Sequence, residues 1–378
     1  MGRSSYKRLG DYIQPVDIRN KDNAVDKLVG LTIDKAFIDS VANTIGTDLS
    51  KYKIIEAEQF ACSLMQVSRD GKMPIAMYAG GEEAILSPAY SMFEVIDKFE
   101  LLPSYLMMWF RRSEFDREAS FYAVGGVRGS LLWEDFLDFR LPIPDIEEQR
   151  EIVAQYEAIT RRIALNERIC ANLEETAQAL YNKMFVQGID PDNLPDGWHY
   201  DFLGNYVELS QGIQIEVEDQ SIEKQEGYNR FVRIIDYTPN TTEPPRFVNV
   251  DNRRYYASLD DIVMIRYGDA GTVCRRVEGI IANNLFKVTP THCLNKNFVY
   301  YFLRNSAIQS TIKSSAASST MPAITHGDIK ELAIVIPNST ILQEYDSLVN
   351  TIESNIVCIQ MEIEKLKSLY LLTSQDLD

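Results

Sequence analysis

Two stretches of the chain carry apolar side chains at alternating intervals of four and three. The first runs Ile152, Tyr156, Ile159, Ile163, Asn166, Cys170, Leu173, Ala177, Leu180, Met184, and the second Tyr345, Val349, Ile352, Ile356, Ile359, Ile363, Leu366, Tyr370. That spacing puts one narrow apolar stripe on a helix, the seam of a coiled coil. At ~1.5 Å per residue, a helix of roughly 35–40 residues is a rod of about 55 Å, long enough to act as a spacer. Two equivalent rods with matching stripes are predicted to pack on each other. Asn166 stands where the second seam has Ile359; such a residue either fixes register or orientation at some cost in stability, or is tolerated half exposed.

The stretches before the two seams also correspond, at a shift of about 193 residues. Leu9-Gly10-Asp11-Tyr12 recurs as Leu203-Gly204-Asn205-Tyr206, and the run Tyr105 to Arg111 recurs as Phe298 to Arg304. Leu141-Pro142-Ile143-Pro144 recurs as Ile334-Val335-Ile336-Pro337 just ahead of each seam. A duplicated unit, globular part then helix, follows from this order. Within the second copy, short β-branched runs at residues 230–236, 262–267, 280–281 and 286–288 read as strands. Residues 105–115 and 297–306 read as helices, which makes each globular part α+β with a curved sheet. The Gly/Pro/Asp-rich stretch after Gln187-Gly188 ends the first helix and marks a boundary. The expected plan is a globular domain over 1–145, a helix over 146–188, a second domain over 189–337 and a second helix over 338–378.

A net charge of −17 speaks against a surface coated for nucleic acid. The charge is unevenly spread: residues 146–194 and 336–378 carry −4 and −5, against −5 and −3 for the much longer segments 1–145 and 195–335. The globular parts are therefore only mildly acidic. With 45% apolar residues, no apolar run of membrane-spanning length and no apolar leader, the chain is expected to be cytoplasmic and without a membrane partner. Five dispersed cysteines and three dispersed histidines suggest neither a disulfide framework nor a metal site. Phosphate-loop, dinucleotide, nucleophile-elbow and zinc-protease motifs are missing, and Glu243-Pro244-Pro245-Arg246 departs from the pattern of an amino-methyltransferase. Asp260-Asp261 is a solvated turn sooner than a metal site. The chain is expected to be non-catalytic and to hold no cofactor.

The exit Leu141-Pro142-Ile143-Pro144-Asp145-Ile146-Glu147-Glu148-Gln149-Arg150-Glu151-Ile152 resembles the Pro-containing strand, Glu-Gln and helix start of the DNA-specificity subunit family of Type I restriction-modification systems. Asp261 to Gly268 is similar to a strand and turn of that family's target-recognition domains, and Leu86 to Tyr90 and Gly126 to Leu131 have the same character. The resemblance spans the whole chain; the second exit keeps Pro337 and Gln343 but lacks the acidic residue before the Gln. It implies two tandem target-recognition domains, each followed by a long α-helix, the helices paired antiparallel as a coiled-coil spacer. It further implies a non-catalytic subunit that reads a bipartite double-stranded DNA target, one half-site per domain, and docks two methyltransferase subunits and restriction/translocase subunits. S-adenosylmethionine, ATP and Mg²⁺ would then belong to those partners. Phosphate attraction needs only a local basic surface, which the partners extend.

Direct readout of bases needs Arg, Lys, Asn, Gln or Ser on a loop. In the first domain the candidates are Arg69 and Lys72 in the turn at residues 68–72, Tyr78, and Arg128 in a Gly-flanked loop. In the second they are Arg266 and Tyr267 at the end of a strand, Arg275 and Arg276, Asn283 and Asn284 between strands, and Ser319 and Thr320 in the Ser/Ala loop from Ser314. A solvated turn is the ordinary alternative for the first group. For Arg275 and Arg276 it is a surface network with Asp269 or Glu278. The acidity and long seams also suit a different class of protein, a duplicated protein-protein scaffold indifferent to DNA.

Overall fold

A computed structural model describes residues 6–40, 47–65, 67–124, 129–238, 241, 243–291, 294–316 and 322–375, with 371–375 as backbone only. The chain divides into two compact units, residues 1–165 with 363–378, and residues 166–362. Each unit holds one globular domain and a part of both long helices.

The first unit contains β1 (Tyr6–Arg8), β2 (Ile13–Pro15), β3 (Val29–Leu31), β4 (Phe37–Asp39), β5 (Lys53–Ile55), β6 (Phe60–Cys62), α1 (Val67–Asp70), β7 (Ile75–Met77), β8 (Ala84–Leu86) and β9 (Ser91–Val95). Then come α2 (Pro103–Phe110), α3 (Ser113–Ala123), α4 (Trp133–Leu137), β10 (Arg140–Pro142) and the start of α5 (Ile146–Phe185). Its main sheet is antiparallel in the order β2-β9-β6-β7, while β1 pairs with β10. Aromatic rings fill the core: Phe60 stacks on Phe93 at 4.9 Å, and Phe110 and Phe136 close over them. Offset and edge-on ring pairs of this kind favour a fixed packing beyond the area they bury. The helix expected over residues 105–115 is two helices, because Arg112 is extended at the N-cap of α3. The break lets Phe110 and Phe115 both reach the same core.

The second unit repeats this plan with β11 (His199–Phe202), β12 (Val207–Gln211), β13 (Asn229–Val232), β14 (Arg246–Val248), β15 (Tyr256–Ala257), β16 (Ile262–Ile265), β17 (Val273–Cys274), β18 (Gly279–Ile281) and β19 (Leu285–Pro290). After them come α6 (Lys296–Arg304), α7 (Ser306–Ala316), α8 (His326–Lys330), β20 (Ala333–Ile336) and α9 (Ser339–Gln375). The sheet β12-β19-β16-β17 copies β2-β9-β6-β7 strand for strand. The β11–β20 pair, with His199 opposite Ile336, copies β1–β10, with Tyr6 opposite Pro142. A further sheet, β14-β13-β18-β15, includes one parallel pairing, β13 with β18. Two apolar runs are shorter as strands than their composition suggests. The run at 230–236 leaves the sheet after Val232, where the Asp236 carboxylate accepts the Arg233 N–H and holds a 3-10 turn. The run at 262–267 ends at Ile265, so Arg266 and Tyr267 lie on a turn.

Helices α5 and α9 pair as an antiparallel coiled coil. In the first unit the Tyr156 and Tyr370 rings lie 4.8 Å apart with their hydroxyls hydrogen-bonded. In the second, Cys170 Sγ meets the Ile356 carbonyl and the Tyr181 ring faces Tyr345 at 6.2 Å. Eleven residues forward on one helix thus match eleven back on the other. Every seam residue is buried or half-buried. Asn166 is buried with its Nδ2 unpartnered, so it costs stability rather than sitting half exposed.

The two exits are built differently. Asp145 caps α5 by accepting the Glu147 and Glu148 N–H groups. Gln149, fully buried, accepts the Leu102 N–H at 2.9 Å and donates to the Glu100 and Pro144 carbonyls. At the second exit the buried place equivalent to Gln149 belongs to Leu342, whereas Gln343 is exposed. The Gln retained in the second motif therefore does not do the work of the first.

Candidate nucleic-acid interface

The turn after β16 carries the most suggestive side chains of the second unit. Arg266 is fixed through its main chain on both sides: its N–H donates to the Asn284 carbonyl at 2.9 Å and its carbonyl accepts from Ile324 at 3.1 Å. Its Nη1 lies 3.5 Å from Gln211 Oε1, at the end of β12, and its guanidinium is 4.9 Å from the exposed Tyr267 ring. The Gln211 amide also donates to the carbonyls of Asn283 and Leu285. Asn283, on the exposed turn between β18 and β19, donates to Gln214 Oε1, and the buried Asn284 Oδ1 has no partner. Gly212 makes the approach of Gln211 to that turn possible, since a Cβ there would stand 2.2 Å from the Ala282 carbonyl oxygen. His326 packs on Phe286 and is held below the usual histidine range, first by burial, then by Arg266 and Lys330. One arginine among several amides is the side-chain chemistry that reads base edges. The sequence does not single out Gln211, Gln214 or His326; a Gln-Gly closing an apolar strand was the available signal for the first.

Arg275 and Arg276 are elsewhere, and they are not on a surface. Arg276 donates to Glu174 on α5 and to Glu353 on α9, the latter at 2.8 Å. Arg275 lies over the Tyr300 ring at 4.0 Å and bonds Asn297 and Glu353. Arg304 adds a second cation on Glu174 at 2.8 Å. Burial opposes ionisation of Glu174, but Arg276 and Arg304 together hold its carboxyl below the usual range. The partners are therefore helix carboxylates, not Asp269 or Glu278, and the pair anchors the second domain to both helices.

In the first unit Tyr78 is also interior, 3% exposed, with its hydroxyl donating to the Glu82 carbonyl and its ring edge-on to Phe37. The apolar cluster it completes is the physical reason it is removed from the surface. Arg69 is exposed and pairs with the adjacent Asp70 at 2.6 Å; Lys72 pairs with Asp34 at 3.3 Å. Gly129 sits against Ser68, since a Cβ there would stand 2.2 Å from its Oγ. Arg128, Ser319 and Thr320 lie outside the described residues. The position equivalent to Arg266 is Leu64, whose carbonyl accepts the Leu131 N–H at 2.9 Å just as Arg266 accepts that of Ile324, and the exposed Met65 takes the place of Tyr267.

Residues 197–366 match the family model of the Type I restriction modification DNA specificity domain. The specificity subunit of the Type I restriction enzyme MjaIX of Methanocaldococcus jannaschii is 23% identical over 297 residues, covering 73% of this chain and 68% of that one. The crystal structure of a Type I restriction-modification S subunit from M. genitalium superimposes with a TM-score of 0.60 at 12% identity, covering 100% of this chain and 97% of that one. The second half matches that family's domain model, and the first half repeats the sheet of the second strand for strand. Among the described residues no helix is long and apolar enough to cross a membrane.

Proposed function

We propose that the protein reads a bipartite double-stranded DNA target, one half-site per globular domain, with the α5–α9 pair setting the gap between half-sites. The observation that carries this is the duplication: two copies of one sheet, each leading through an equivalent strand pair into a long helix. Readers joined by a stiff element address two groove segments only at a separation suited to the ~34 Å helical repeat, so the gap becomes part of the recognised sequence. Arg266 against Leu64 and Met65 makes the two readers chemically unlike, and the half-sites accordingly differ. Two methyltransferase subunits and the restriction/translocase subunits dock on this chain and bring S-adenosylmethionine, ATP and Mg²⁺ with them.

Selection from a random-sequence duplex pool by the chain with its methyltransferase partner, read by mobility shift and sequencing, tests the proposal. A split consensus with a fixed gap is expected; a pool that stays random overturns it. The net charge of −17 favours one other reading, a scaffold indifferent to DNA. It predicts partner binding unchanged by DNA and by Arg266→Glu.

A further inference from the structure

The second unit neutralises most of its well-placed cations internally. Arg230 and Arg233 share Asp236, Lys296 takes Asp260 and Asp261, and Arg275, Arg276 and Arg304 are consumed by Glu174 and Glu353. Arg266 is an exception: among the described residues it meets no carboxylate. The acidic group nearest along the chain, Asp269, instead accepts the Thr272 hydroxyl at 2.6 Å. Meanwhile the Arg266 main chain is fixed on both sides and its guanidinium is steadied by Gln211 and Tyr267. A planar fork held in place with most of its donors unspent is preorganised for a bidentate acceptor. Phosphate binding would ask only for charge, and gathers several cations. Here, among the described residues, the side chain bonded to the Arg266 guanidinium is the Gln211 amide, which is linked in turn to Asn283 and, through it, to Gln214.

We infer that Arg266 is the specificity-determining residue of the second domain, donating two N–H bonds to O6 and N7 of a guanine in the major groove. Gln211 and Tyr267 position its fork. The inference rests on the bipartite reading above and adds to it one base pair and one side chain. It also says what the first domain lacks: with Leu64 and Met65 at the equivalent turn, no guanine is read from that place in the other half-site.

The test is the same duplex-pool selection, run with full-length chain in complex with its methyltransferase partner. The wild type should select a G·C pair at one position of one half-site. Arg266→Ala should lose preference there by about 5- to 140-fold, the range for one bidentate base contact, and leave the other half-site untouched. Arg266→Lys keeps the charge but not the fork and should lose the same discrimination. Arg266→Gln should move the preference toward A·T. Lys and Gln variants both reach Gln211, so they decide the matter if truncation unfolds the domain. Loss of affinity uniform over all sequences, with a salt slope about one unit shallower, would mark a phosphate contact and overturn the inference. Unchanged selection overturns it as well, and leaves the bipartite reading standing. A wild type that selects nothing removes that reading and this one together.

Discussion

Replacing Arg276 by Ala should detach the second domain from its helices. The residue holds a φ of +70°, a left-handed conformation disfavoured for a side chain of this size, and it is kept there by what its guanidinium grips. Glu174 on α5 and Glu353 on α9 both receive its N–H groups, and the three side chains are 8%, 24% and 13% exposed. Truncation leaves two largely buried carboxylates, one still facing Arg304 and the other Arg275. Breaking a buried pair by removing one partner costs about 3–5 kcal/mol, since the surviving charge stays desolvated. For a unit of this size each kcal/mol is worth about 2–4 °C, so its Tm should fall by about 6–20 °C in calorimetry. A double-mutant cycle with Glu353→Gln should show coupling of about 0.5–3 kcal/mol. If Arg276 read DNA instead, the Ala variant would lose DNA affinity with its Tm nearly unchanged. A fall under about 2 °C refutes the argument.

Gln149→Ala should destabilise the first unit by about 1–3 kcal/mol in denaturant melts, because it strands the Leu102 N–H and two carbonyls inside the exit. Gln343→Ala should fall within about 0.5 kcal/mol of wild type, and equal effects of the two would contradict the assignment of Leu342 to the buried place. Glu174 has its folded pKa depressed, so its contribution is present above its unfolded value of about 4.3 and lost as pH falls through the lower folded value. The Tm of the second unit should therefore drop below about pH 4.3, and Glu174→Gln should flatten that drop; parallel Tm–pH curves would count against the pairing. The chain without partners should bind random duplex no more tightly than ordinary non-specific binding, about 10⁻⁴ M or weaker at physiological salt, by fluorescence anisotropy, and tight sequence-specific binding by the chain alone would refute this.

The helix pair was legible because its signal is periodic and local: the four-three spacing survives whatever packs around it, and every seam position is buried or half-buried. The duplication was legible for a related reason, since turns and exits recur in order and the sheets then copy one another. The arginines failed as surface candidates because Arg276 finds its partners 102 and 77 residues away, on the two helices, where no local pattern reaches. Tyr78 lies on a chain segment with turn-like composition, yet its ring closes an apolar cluster. Asn283 and Asn284 were visible as a turn between strands. Gln211 was not, because its role depends on β12 lying beside β19, a long-range pairing.

The chain's acidity is compatible with the proposed DNA reading because charge is spent at different scales. Long-range attraction depends on the summed field, and a chain at −17 supplies none of it. Base discrimination depends on a few donors within hydrogen-bond reach, where the field of distant carboxylates is screened beyond about 8–10 Å at physiological salt. Arginines that would have decorated the surface are instead folded against Glu174, Glu353 and Asp236, where they fix the domain rather than attract a polyanion. What remains at the turn after β16 is one uncommitted fork in a frame of amides. A reader built this way gains little from encounter and much from fit. That division suits the proposed arrangement, in which the docked subunits would supply the affinity.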